Sequence, residues 1–159
     1  MRVVVIGAGI AGLLAAQQLH SAGHEVTVLD KGKSPGGRLA TRRIGAATLD
    51  HGAQFFTVRD AQFDHHVQQW VHDGVVREWC KGFSQHDGHP RYIGTTGMSS
   101  IAKHLARDLD VRCNTFVFEV LRNEDTTWTT RIDDGSSFQS DALVVTCPLP
   151  QAYSLLITA

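Results

Sequence analysis

An α/β fold entered through a βαβ unit is predicted by three features of the chain. Residues 2–6 (RVVVI) are a β-branched run, as expected of a parallel strand buried on both faces. A glycine-rich turn, Gly7-x-Gly9-x-x-Gly12, follows and runs directly into Ile10, Leu13, Leu14 and Leu19 at near-helical spacing. Gly23 stops that helix, and residues 24–30 (HEVTVLD) read as a second strand ending on an acid, Asp30.

The rest of the chain continues in alternating patterns. Residues 31–43, rich in Gly, Lys and Arg, read as an ordered loop, and residues 49–58 (LDHGAQFFTV) as extended chain. A helix is predicted over 60–73, with Phe63, Val67, Trp70 and Val71 on one face. Strands at 75–80 and 91–94 flank a turn-rich connection. Residues 98–109 read as a helix with Ile101, Ala102, Leu105 and Leu109 inward. From Val111 onward short strands alternate with turns as a β-meander, then 141–147 (DALVVTC) reads as a buried return strand and Pro148 opens a last helix. A simple NAD-binding domain repeats βαβ units in series, so a meander followed by a return strand favours a flavoprotein.

Composition narrows the function classes. The 159 residues are of single-domain length, and 42% hydrophobic content supports a core. Lys+Arg 15 against Asp+Glu 16 gives neither a nucleic-acid footprint nor a polybasic membrane patch. Cys80, Cys113 and Cys147 lie far apart with no CxxC pair, which argues against zinc and disulfides and suits a reducing cytoplasm. The apolar stretch 3–16 is shorter than the ~20 residues of a membrane span, and a signal peptide has no reason to hold its glycine spacing. A cytoplasmic protein acting on a small molecule is expected.

The glycine turn carries the chemistry. Gly7 allows the tight turn, Gly9 lets backbone approach a pyrophosphate, and Gly12 permits close helix–sheet packing. The helix N-terminus presents free N–H groups and a positive dipole end to phosphate. Asp30 stands 23 residues after Gly7, where a carboxylate accepts hydrogen bonds from a ribose and disfavours a 2′-phosphate. Next come Gly36-Gly37-Arg38, two glycines for close backbone approach and a planar fork for phosphate oxygens.

Six segments, GAGIAG, the acid of LDK, SPGGRLAT, LDHGAQFFT, GMSSIAKHLA and ALVVTCPLPQ, occur in an order that resembles FAD-dependent amine oxidases, most of all the renalase branch. The resemblance implies an FAD-binding Rossmann-like fold of the two-dinucleotide-binding-domain type, with an inserted partial substrate domain and a β-meander. It assigns 1–58 and 97–159 to the FAD-binding domain and 59–96 to the start of the insertion. It implies that Gly7, Gly9, Ala11 and Gly12 lie at the pyrophosphate, Asp30 at the ribose, Lys31 beside the adenosine, and Gly37 and Arg38 at the phosphates. Gln54 and Phe55 fall at the isoalloxazine, the backbone of Val117 at the adenine, and Thr146-Cys147-Pro148 on the adenosine side. The family's later sheet and late Gly-Asp motif are not in these 159 residues, so the match is to its N-terminal half and no catalytic residue can be named.

The activity implied is oxidation of reduced nicotinamides or amine-type compounds by hydride transfer to FAD, with O₂ reoxidation to H₂O₂. Two alternatives stand beside it: a NAD-dependent dehydrogenase domain using the same fingerprint, and a non-catalytic dinucleotide-binding fragment. No metal site is expected. His65, His66 and His72 share a helix, yet His65 and His72 lack a third ligand at a suitable spacing, and His86 and His89 flank a turn. Trp70 and Trp79 read as core residues, Phe56 as strand core and Cys147 as an inert buried thiol.

Overall fold

The structure is a computed structural model that describes residues 1–84, 87–157 and 159. Its elements in chain order are β1 (Arg2–Ile6), α1 (Ile10–Ser21), β2 (Glu25–Leu29), β3 (Thr41–Ile44), β4 (Ala47–Asp50), β5 (Phe56–Thr57), α2 (Ala61–His72) and β6 (Val76–Lys81). There follow β7 (Pro90–Gly94), α3 (Ser99–Leu105), β8 (Asp110–Arg112), β9 (Val117–Arg122), β10 (Trp128–Ile132), β11 (Ser137–Ser140), β12 (Ala142–Val145) and α4 (Leu149–Leu156). The chain divides into two compact units, Met1–Gly37 with Leu105–Ala159, and Arg38–His104.

The first unit is built on a parallel sheet in the order β12-β1-β2-β8. β1 is central, pairing Val3 to Ile6 with Ala142 to Val145 on one side and with Val26 to Leu29 on the other. Both its faces are covered, which is why the run is β-branched and does not alternate. On one face α1 packs against β1 and β2 through the fully buried Leu13 and Ala16. On the other, Val4, Ile6 and Leu29 join Val117, Val120, Ile132 and Leu155 in one apolar cluster. That second layer is the antiparallel meander β11-β10-β9 together with α4.

The second unit contains the β3–β4 hairpin, a three-stranded sheet in the order β5-β7-β6, and helices α2 and α3. α2 starts where Asp60 accepts a hydrogen bond from the Phe63 N–H at 2.9 Å as the N-cap. It buries Val67 and Trp70, while Val71, expected on the same face, is 38% exposed. Ile101, Ala102 and Leu105 of α3 are buried as predicted.

Three elements depart from the sequence reading. Residues 41–50 form a hairpin rather than loop and extended chain, turning at Gly45 with φ 57°. Its strands are exposed and charged at Arg42 and Arg43, so they lack the apolar alternation that marks a strand. α3 ends at Leu105 rather than 109, because residues 106–108 turn to deliver β8 beside β2. Trp79 is 49% exposed, not core, because the β6–β7 register shifts between Glu78 and Cys80 and leaves Trp79 outside the ladder. The compact units divide at 37/38 and 104/105. Residues 38–58 join the second unit because the β3–β4 hairpin is hydrogen-bonded to the start of α3.

Gly12 sets how closely α1 can lie on the end of β1. A Cβ there would overlap the Gly7 carbonyl oxygen and come within 2.7 Å of Thr146 Oγ1. Alanine would gain about 1 kcal/mol of helix propensity, but backbone overlap outweighs that. Gly12→Ala is therefore expected to lose about 2 kcal/mol net in urea unfolding; equal or greater stability would show that α1 sits further out.

Candidate dinucleotide site

In the first unit the structure gathers most of the residues predicted to bind the cofactor at the carboxyl end of the parallel sheet. Gly7 leaves β1 at φ 108°, a conformation only glycine adopts without strain, and its N–H donates to the Leu29 carbonyl at 2.8 Å. Gly9 is the N-cap of α1, with no side-chain cap hydrogen bond and no acid in the first turn. The N–H groups at the start of the helix are therefore free of any capping side chain, with the positive end of the helix dipole behind them. Open space lies on the side of Gly9 where a Cβ would stand, with nothing within 4 Å. Ala11, in the same first turn, is exposed.

Gly36 and Gly37 close over this turn. The Gly36 N–H donates to the Ala8 carbonyl at 2.8 Å, and a Cβ on Gly37 would face the Gly9 Cα at 3.6 Å. Their φ angles, 138° and 52°, explain why glycine occupies both positions.

Asp30 does more than the sequence indicated. Its Oδ2 accepts from the Ala8 N–H at 2.6 Å and its Oδ1 from the Gly32 N–H at 2.7 Å. The carboxylate thus ties the glycine turn to the end of β2, and each oxygen keeps a second lone pair for another donor. Around it the backbone joins the segment leading to β9: the Asp30 N–H donates to Arg112, and Asn114 and Thr115 donate to Gly32 and Asp30, at 2.8–2.9 Å. Val117 follows directly, its side chain in the apolar cluster. Lys31 is exposed, and its positive charge is felt at Cys147.

Thr146, at the end of the return strand, accounts for part of the geometry. Its hydroxyl donates within reach of the Ile6 and Gly7 carbonyls, at 3.0 and 3.1 Å, and fills the notch left by Gly7 and Gly12. Burial pushes the Cys147 thiol up, and burial followed by the Asp30 charge pushes Cys113 up. Both sulfurs stay protonated at neutral pH, which fits inert thiols.

Arg38, Gln54 and Phe55 belong to the second unit. Arg38 is exposed, and its carbonyl accepts from the Ala53 N–H at 2.8 Å. Gln54 is exposed, whereas Phe55 is half-buried against Phe83 and Trp79, at ring separations of 5.5 and 6.1 Å. The Arg91 guanidinium lies 4.0 Å from the Phe83 ring centre and 5.3 Å from that of Phe55, and pairs with Asp87. Phe56 stacks on Tyr92 at 5.7 Å, as a strand residue. His65, His66, His72 and His89 are exposed, and His86 lies outside the described residues. Among the described residues no three His, Cys, Asp or Glu side chains are placed to hold a metal. No described helix is long and apolar enough to cross a membrane.

A parallel sheet with an uncapped glycine turn and an acid at the next strand end defines a dinucleotide-binding oxidoreductase fold. Comparison with known proteins agrees. Residues 5–73 match the NAD(P)-binding Rossmann-like domain model, and residues 65–159 match flavin containing amine oxidoreductase. The chain belongs to the flavin-containing amine oxidoreductase family, whose cofactor is FAD. It is 28% identical to renalase of Mus musculus over 171 aligned positions, covering 97% of this chain and 49% of the mouse protein. It is 47% identical to hydroxyneurosporene desaturase of Rubrivivax gelatinosus over 74 residues, covering 46% of this chain and 12% of that enzyme. The chain therefore spans about half the length of renalase and less of the desaturase. Among solved structures, a putative protoporphyrinogen oxidase from Exiguobacterium sp. 255-15 superimposes with a TM-score of 0.77 at 15% identity, over 99% of this chain and 62% of that one. That likeness establishes the fold.

The bonds to Ala8 and Gly32 make Asp30 a stability residue independent of any ligand. Asp30→Ala, unfolded in urea without flavin, is expected to lose about 1.5–3 kcal/mol, the range for hydrogen bonds to a charged acceptor. An unchanged midpoint would mean that the carboxylate does not hold the turn.

Proposed function

We propose that this chain is the FAD-binding portion of a flavin-dependent oxidoreductase, renalase-like in its chemistry and cytoplasmic in its setting. The observation that carries the reading is the α1 N-terminus: uncapped, without an acid in its first turn, and open beside Gly9. Those features fit a pyrophosphate, which needs backbone N–H groups, a positive dipole end and room for two phosphates.

On this reading Gly7, Gly9, Ala11 and Gly12 hold the pyrophosphate, while Asp30 accepts from the ribose hydroxyls on its remaining lone pairs. Lys31 and the backbone at Val117 border the adenosine. Gly37 permits close passage to the phosphates, where the planar fork of Arg38 grips an oxygen. Gln54 and Phe55 flank the isoalloxazine, an amide and an aromatic ring beside a flat heterocycle.

FAD, when bound, supplies a two-electron acceptor for a substrate C–H bond, with O₂ as terminal oxidant and H₂O₂ as product. The substrate class we favour is a reduced nicotinamide or an amine. The full-chain similarity to mouse renalase supports this choice. The desaturase similarity supports a second reading, in which a C–H bond is oxidised without peroxide release. Measuring peroxide with reduced nicotinamides separates the two.

Gly9 supplies the test of the cofactor site. Its backbone (φ −76°, ψ 176°) suits any residue and its Cβ direction is empty, so Gly9→Val costs the fold under about 1 kcal/mol. The same side chain stands where the pyrophosphate would lie. Gly9→Val is expected to melt within a few degrees of the parent and to lose FAD binding in a fluorescence titration. Parental FAD affinity in the valine variant would contradict the site.

A further inference from the structure

The residues assigned above to the phosphates and the ring, Arg38 and Gln54–Phe55, flank the two strands of one hairpin at its open end, which is held by a side-chain network. Thr41 and Asp50 form the last cross-strand pair of β3 and β4. The Thr41 hydroxyl donates to Asp50 Oδ1 at 2.5 Å, and the same oxygen accepts from the Met98 N–H at 2.9 Å. Thr41 Oγ1 in turn accepts from the Ser99 N–H at 2.9 Å. The threonine–aspartate pair is thereby fastened to the first turn of α3, which is anchored by the buried Met98, Ile101 and Ala102.

Beyond the clamp the two strands stay in register as they leave the hairpin. The His51 N–H donates to the Ala40 carbonyl at 3.2 Å and the Ala53 N–H to the Arg38 carbonyl at 2.8 Å. Gly52 allows that closeness, since a Cβ there would overlap the Arg38 carbonyl. On the other side of the clamp Gly97, at φ 100°, leaves space that Thr41 occupies, and Arg43 donates to the Thr96 carbonyl at 3.3 Å. The Arg38 backbone and the strand leading to Gln54 are therefore spaced by hydrogen bonds whose nearest side-chain anchor is Asp50.

We infer that Asp50, acting with Thr41, is the positioning residue that fixes Arg38 and Gln54–Phe55 relative to one another for FAD binding. The inference rests on the FAD reading above. Asp50 touches no ligand itself; it acts through the hairpin register. Only Oδ1 is used, so an asparagine carbonyl can accept both bonds, whereas alanine can accept neither.

The test is FAD titration of the full chain by flavin fluorescence, well below every variant's melting midpoint. Three variants are compared with the parent: Asp50→Ala, Asp50→Asn and Asp60→Ala. Asp60 makes a similar carboxylate-to-backbone bond in the same unit, capping α2, and is absent from the clamp. Asp50→Ala is expected to raise the FAD dissociation constant about tenfold or more, the scale of losing charged hydrogen bonds. Asp50→Asn should restore it to within about threefold, and Asp60→Ala should leave it unchanged while lowering the melting midpoint. Equal loss with Asp60→Ala would show general loosening and overturn the positioning role, as would parental affinity in Asp50→Ala. Failure of the parent to bind FAD at all would overturn the cofactor reading and this inference with it.

Discussion

The close approach of α1 to the end of β1 is the constraint on which the first unit depends. Gly12 stands against the Gly7 carbonyl with no room for a methyl group, and Thr146 fills the remaining notch from the return strand. Because the contact is backbone to backbone, it fixes the helix axis relative to the sheet more tightly than interdigitating side chains would. The helix N-terminus then projects from the carboxyl edge of the sheet, where ligands of open α/β folds bind. Chain segments distant in sequence thus meet at one edge because one residue lacks a side chain.

Asp30 links that geometry to chemistry. A carboxylate at a strand end beside a glycine turn can serve the protein, a ligand, or both. Here it already accepts two backbone N–H groups, from Ala8 and Gly32, at short distances. The turn is therefore ordered before any ligand arrives, which reduces the conformational entropy that binding must overcome. Preorganisation of this kind suits a cofactor that stays bound through turnover, since binding free energy is not consumed in shaping its own site. Separate backbone bonds, from Asn114 to Gly32 and from Thr115 to Asp30, bring the segment leading to β9 beside this acid.

What could be read in advance follows physical lines. The β1–α1–β2 unit was legible because burial on both faces demands a β-branched run and because phosphate approach demands glycines at fixed spacing. The β3–β4 hairpin was not, since Thr41–Ile44 carries two arginines, is largely exposed and lacks apolar alternation. Trp79 was misplaced because its size alone suggested burial, whereas a bulge in β6 leaves it outside the ladder and 49% exposed. The structural bonds of Asp30 to Ala8 and Gly32 were invisible because backbone donors leave no trace in residue identity. Asp50 was in view within LDHGAQFFT, yet its partners, Thr41 and Met98, are separated from it by 9 and 48 positions. The glycines of the turn are thus legible one by one, whereas supporting side chains become legible only after folding.

The central claim is that the first unit recognises the ADP half of a flavin dinucleotide at the α1 N-terminus. Amide ¹H–¹⁵N spectra of the isotope-labelled chain, titrated in parallel with ADP and with FMN, address it directly. The account predicts saturable shifts on ADP addition at Gly9, Ala11, Gly12 and Gly32, with Asn123 and Gly135 of the meander turns unmoved. FMN, which carries one phosphate but no adenosine, should shift Gly9, Ala11 and Gly12 less than ADP does and leave Gly32 in place. ADP-silent amides at Gly9–Gly12, or equal shifts with FMN, would contradict the account.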